Sequence, residues 1–302
     1  MSEAPRVGLI AFGLVQILIG LTCGLLVLAV IAGAELAQRT APMRSGVASA
    51  IVVYGIAAVY FVTVGVGSIR ARRWARALSV VVSAIWMAGG VAATLMIMLI
   101  LPRVMEGLPR PTLGFGCAGA VGAILGIVLP LVLFLFYRLP SVRAAVEARD
   151  PKPRWTDRVP LPVLAMVLIL LFSAITLLAN VSNPVLALFG DVIAGAAASL
   201  VMLTIAVLCT FVAVQLYFLK ESGWWTLLIL QIAGLLYGAI AIMRSDYQTV
   251  AQREGAPAVS AIYADPFFLG ALLTTWLAHF AFLLYLRRFF VAGATPRTRR
   301  DD

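Results

Sequence analysis

Charged residues along this 302-residue chain fall in short intervals, and between them lie uninterrupted apolar stretches at 7–34, 45–69, 77–102, 111–137, 159–190, 192–219, 222–243 and 266–286. Each exceeds the roughly 20 residues that a helix needs to cross a hydrocarbon core about 30 Å thick. Backbone polar groups in lipid must be bonded within their own segment, so the pattern predicts eight transmembrane helices. The region 159–219 contains a single charge, Asp191. Asn180-Val-Ser-Asn-Pro184 breaks it, since Asn and Pro form turns and Pro leaves a helix interior short of a donor. Helix 5 is expected at 159–179 and helix 6 to start near Asp191, whose carboxylate is placed to cap free N–H groups. Residues 184–190 would then be interfacial or re-entrant. The first run is too long for a cleaved secretory leader and reads as a retained helix.

Counting Lys and Arg loop by loop orients these spans, because cytoplasmic loops carry the excess. The side that holds both termini has 17 cations and seven acids; the other has six of each. Both termini are predicted cytoplasmic, the whole formal charge of +10 belongs to that face, and the protein is placed in a plasma membrane, that of a bacterial inner membrane. Composition agrees: 63% hydrophobic and 12% charged, with a mean hydropathy of +1.04, lies far from soluble domains with their roughly 25% charged residues. A basic chain prompts the question of nucleic acid, but no segment is polar enough to form an aqueous basic face, so nucleic acid is not an expected partner. An anionic cytoplasmic leaflet is. Arg70-Ala-Arg-Arg-Trp-Ala-Arg76 places Arg70, Arg72, Arg73, Trp74 and Arg76 at that interface.

Sliding the chain on itself by about 150 residues brings Arg70, Trp74 and Leu78 onto Lys220, Trp224 and Leu228, and Arg6 near Arg158. We therefore expect an all-α integral membrane protein in which a four-helix unit is duplicated in tandem. An even number of helices per unit makes the copies parallel, not inverted. The units would be 1–137 and 159–290, joined by a basic connector at 138–158 and followed by a polar tail at 291–302. Ser141-Val-Arg-Ala-Ala-Val-Glu-Ala-Arg149 in the connector reads as a short surface helix. Asp265-Pro266 is a cap-and-N1 start for helix 8.

Small residues four apart allow close backbone approach where no hydrophobic force drives helices together. Gly20 and Gly24 on helix 1, Ala84 and Ala88 on helix 3, Gly122 and Gly126 on helix 4, and Gly234 and Gly238 on helix 7 are the expected packing positions, within the bundle or with another subunit. Pro130 after a glycine-rich start predicts a bend in helix 4.

Chemistry is sparse. No span carries an internal Asp, Glu, Lys or Arg, and His279 is the only histidine, so a proton relay, a multi-His metal site and a bis-histidine haem lack their parts. Cys23, Cys117 and Cys209 stand singly and read as small apolar residues. No cofactor or metal is expected. Gln16 on helix 1, Gln231 on helix 7, and Thr275 and His279 on helix 8 are the polar groups placed to line a central cavity or to bond between helices. The reading that follows is a non-catalytic membrane protein acting through helix packing with itself or a membrane partner. A transporter or channel for a neutral, amphipathic or lipid-like solute is the alternative, and an intramembrane enzyme the third.

Overall fold

The computed structural model describes residues 3–37, 47–105, 122–181, 184–188, 191–243 and 266–291. Three helices open the chain: α1 (Glu3–Ala37), α2 (Val47–Ile69) and α3 (Arg73–Met105). A π turn, Ile124–Val128, leads into α4 (Leu129–Arg138), followed by α5 (Pro140–Arg149) and a 3-10 turn at Trp155–Asp157. Then come α6 (Leu161–Ala179), the strands β1 (Val185–Leu188) and β2 (Asp191–Ala194), α7 (Ala196–Tyr217), α8 (Glu221–Met243) and α9 (Pro266–Val291). Among the described residues, six helices are long and apolar enough to cross a membrane: α1, α2, α3, α6, α7 and α8. The architecture is that of a helical, multi-pass membrane protein.

Local chemistry sets the breaks. Leu139 precedes Pro140 and is extended (φ −55, ψ 132), as the proline ring demands of its predecessor. The chain bends 62° between α4 and α5 there. Pro140 occupies the first helical position, where its missing N–H costs nothing. Pro130 cannot donate to the Gly126 carbonyl. The helix responds with a π turn in which the Leu129 N–H reaches back to Ile124. Asn180 stops α6 as expected, its amide donating to the Thr176 carbonyl at 2.8 Å. Asp191, however, opens β2 instead of α7: β1 and β2 pair as a two-stranded sheet, and Gly195 (φ 68) turns the chain into α7. Short apolar runs of this length read equally well as strand or helix end.

The chain divides into two compact units, Met1–Arg158 with 175–185 and 194–203, and Val159–Ala174 with 186–193 and 204–302. In the first, α1 and α2 pack antiparallel through glycines. A Cβ on Gly13 would lie 2.8 Å from the Gly65 carbonyl oxygen, and one on Gly20 would lie 2.9 Å from that of Ala58. On α3, a Cβ at Gly90 would overlap the carbonyl of Gly126. The oxygen that Pro130 leaves without its helical donor is therefore packed onto a residue that only glycine can be.

The second unit is held by an apolar cluster of α6, α7, α8 and α9, with Val163, Met166, Val212, Leu216, Trp224 and Leu283 among its most buried members. The Trp224 indole donates to the Leu283 carbonyl at 3.0 Å, joining α8 to α9. Gly234 lets the Trp276 ring approach to 3.1 Å of where its Cβ would be.

Candidate functional site

Each of the first four helices contributes one polar side chain to a buried network. Gln16 of α1 is 1% exposed; its amide donates to Ser79 Oγ of α3 at 3.0 Å. Its carbonyl oxygen accepts from the Tyr137 hydroxyl of α4 at 3.3 Å. Tyr137 also lies 2.6 Å from Ser68 Oγ of α2, and Ser68 reaches the Leu9 carbonyl at 3.1 Å. The hydroxyls of Ser68 and Tyr137 have one hydrogen each for three contacts. At most two of these three contacts are therefore hydrogen bonds at one time, and either hydroxyl can be the donor between Ser68 and Tyr137. A buried amide without partners costs on the order of 1–3 kcal/mol, so this network fixes the register of the four helices. Gln16 is thus engaged within the first unit, by Ser79 and Tyr137.

One turn beyond Ser68, the α2–α3 link is a Schellman closure. Ala71 N–H donates to Ser68 at 2.8 Å and Arg72 N–H to Gly67 at 2.9 Å, with Ala71 in the left-handed region (φ 52). Ion pairs lock α5 and the 3-10 turn onto it. Arg154 grips Asp150 with two donors, at 2.8 and 3.1 Å, and Arg73 Nε lies 3.3 Å from Asp157. Another Arg73 nitrogen lies 3.8 Å from Glu147, itself bonded by Arg143 at 2.8 Å. The Arg154 hydrogen bonds hold the Asp150 carboxyl below its ordinary value, and Arg143 does the same for Glu147. Arg76 donates to the Tyr137 carbonyl at 3.4 Å. Of the basic run, Arg73 and Arg76 are thus spent inside the chain. Arg72 has only Asp150, at 4.0 Å, and Arg70 has no ion pair or hydrogen bond from its side chain among the described residues. Arg70 and Arg72 line two open clefts, of about 580 and 620 Å³.

No known family, curated protein or solved structure matches the chain. The geometry alone carries its reading. On the second unit, Gln231 is half-buried on α8, with no hydrogen bond among the described residues; Thr275 is exposed and His279 half-buried on α9. Gly234 faces Trp276 on antiparallel helices, so one helical step away Gln231 stands level with His279. Among the small residues, Gly20, Gly126 and Gly234 sit in the contacts described above. Gly24 has Ala58 at 4.0 Å; nothing described comes within 4 Å of a Cβ at Gly122 or Gly238; Ala84 is half-buried and Ala88 exposed. Cys117 lies outside the described residues. Among the described residues no three His, Cys, Asp or Glu side chains group as metal ligands.

Sequence reasoning missed Ser68, Ser79 and Tyr137, whose partners lie 63 to 121 residues away from them in three of the contacts. It also missed the acids Glu147, Asp150 and Asp157. A legible signal for the last group was the i, i+4 spacing of Arg143 with Glu147 and of Asp150 with Arg154.

Proposed function

We propose that this is a non-catalytic multi-pass membrane protein that works by packing its helices with a second copy or another membrane protein. The observation that carries this reading is the spending of Gln16: the most buried amide of the first unit is used on Ser79 and Tyr137, leaving it unavailable to a solute. Gly122 and Gly238, which no described residue approaches within 4 Å of a Cβ position, support it, since small residues let another helix come close. The finer architecture belongs to the same proposal: eight crossings with both termini cytoplasmic, in a bacterial inner membrane with an anionic leaflet, built from two parallel four-helix units. Two Schellman turns 148 residues apart, at Ala71 and Leu219, support the duplication.

A second reading, a pathway for a neutral or amphipathic solute, is favoured by Gln231 and His279 standing level on α8 and α9. Mass measurement on protein extracted with its native lipids tests the first reading. It expects a multiple of the 32.2 kDa chain or a co-extracted membrane protein, and loss of that assembly in Gly122→Leu or Gly238→Leu. A lone monomer that moves solute in proteoliposomes would overturn it in favour of the second.

A further inference from the structure

The α2–α3 turn collects more positive charge than it uses. Asp150 is nearly fully buried and is held by Arg154, and the Arg73 guanidinium is divided between Asp157 and Glu147. That accounts for every acid of the cluster. Arg70 is left with no partner among the described residues, and Arg72 is 44% exposed with its one acid 4.0 Å away. Both line the two clefts, and Arg149, exposed and with no ion pair among the described residues, lines the second.

The first cleft is not a purely polar pit. Its lining follows α2 through Gly67, Val66, Thr63 and Val62, and includes Trp74 and Arg154. Gly67 matters to its shape, because a Cβ there would come within 2.8 Å of the Trp74 ring. Cations at the end of a membrane helix, an indole at the same level and an apolar track continuing toward the lipid interior match the two chemistries of one molecule class. Arginines recognise a phosphate bidentately, and basic pockets at the cytoplasmic ends of helices take anionic head groups.

We propose that this turn is a specific binding site for one anionic phospholipid, its phosphate held between Arg70 and Arg72 and an acyl chain lying along Val62 and Val66 past Trp74. This rests on the reading of the turn as a membrane–water boundary, but it is distinct from general attraction to a charged leaflet: two guanidiniums and one track define it.

The test is native mass spectrometry of the whole protein in detergent, titrated with phosphatidylglycerol, phosphatidylcholine or inorganic phosphate. Wild type is expected to retain one phosphatidylglycerol in preference to phosphatidylcholine. An interfacial cation contributes about fivefold in binding, so Arg70→Gln with Arg72→Gln is expected to weaken retention about thirtyfold. Arg143→Gln, on an exposed pair outside the clefts, is expected to leave it unchanged. Retention independent of Arg70 and Arg72, or equal for phosphatidylcholine, overturns the proposal. Inorganic phosphate bound as tightly as the lipid would show a free-anion site and overturn the lipid assignment. Because the measurement is made in micelles, it is separate from topology: labelling of a cysteine at position 70 from the outside of intact cells would refute the orientation while leaving the site standing.

Discussion

The turns between α2 and α3 and between α7 and α8 have the same backbone and opposite chemistry. Leu219, like Ala71, has φ 52. Its N–H donates to Leu216 at 2.9 Å, and the next, Lys220, donates to Gln215 at 3.0 Å, the pattern made by Ala71 and Arg72. Around Ala71, however, stand hydroxyls, an amide and five ion pairs; around Leu219 stand leucines, Trp224 and Phe290. Charge at the second turn is met by aromatic rings, with the Arg287 guanidinium 5.5 Å from the Trp224 ring centre. Closure of an apolar helical hairpin needs only the Schellman bonds, and what the turn can bind is decided by side chains that the backbone leaves free.

The most severe way to break the comparison is at the point of closest approach. A Cβ on Gly67 would lie 2.7 Å from that of Ala75, and one on Gly223 would lie 2.6 Å from that of Gln215. Positions 67 and 75 are equivalent to 215 and 223, and in each pair one residue is glycine, but on opposite helices. Gly223→Ala is expected to destabilise by about 1–3 kcal/mol through overpacking. Adding Gln215→Gly recreates the arrangement of the first turn and should recover the loss to within about 1 kcal/mol, the helix cost of glycine. Thermal unfolding of the whole chain in detergent, followed by tryptophan fluorescence, measures both. No recovery in the double variant would mean that the two hairpins close differently.

Next in size is the bond that pins each hairpin to its neighbour. Tyr137→Phe removes the hydroxyl shared by Ser68 and Gln16 and strands part of a buried network, for about 1–3 kcal/mol. Trp224→Phe removes the donor to Leu283, a carbonyl already inside helix α9, and its cost is packing rather than an orphaned group. Gln16→Leu with Ser79→Ala in the Tyr137→Phe background separates the two cases: removing the bonded groups together should restore stability in the first unit, a rescue with no counterpart in the second.

These interactions mark what could be read from residues alone. The apolar runs, the stop at Asn180 and the surface helix at 140–149 follow from composition and turn chemistry, and the close approaches at Gly20, Gly126 and Gly234 from small-residue spacing. Pairing between distant helices depends on register, so Gln16 was visible as a buried amide while Ser68, Ser79 and Tyr137 were not visible as its partners. No glycine marks the left-handed positions, since Ala71 and Leu219 occupy them. Matching Trp74 to Trp224 therefore gives an offset of 150, two more than the 148 at which the turns coincide.

Acid separates the turns more gently. Asp150 and Glu147 are held below ordinary carboxyl values in the folded chain. Their stabilisation is therefore complete above about pH 4, the unfolded range, and disappears as pH falls through their lower folded values. Hydrogen exchange of α5 and the 155–157 turn should accelerate below about pH 4 before that of the apolar cluster does. Asp150→Asn should abolish most of this acid response; an unchanged profile would show that the ion pairs contribute nothing to holding α5.

The smallest effect tests the shared backbone itself. A residue with a Cβ in the left-handed region costs about 1–2 kcal/mol relative to the right-handed one, and glycine removes that cost while adding disorder to the unfolded chain. At Ala71 only one methyl group is lost, so Ala71→Gly should come out stabilising by about 0.5 kcal/mol once about 0.8 kcal/mol of burial is set against relief. Leu219 packs against the apolar cluster, and losing a half-buried leucine outweighs the same relief, making Leu219→Gly destabilising by about 1 kcal/mol. Opposite signs at identical φ would locate the difference between the turns in their side chains. Shifts of the same sign and size would instead mean that Leu219 contributes through its backbone alone and that the apolar cluster ends at Leu216.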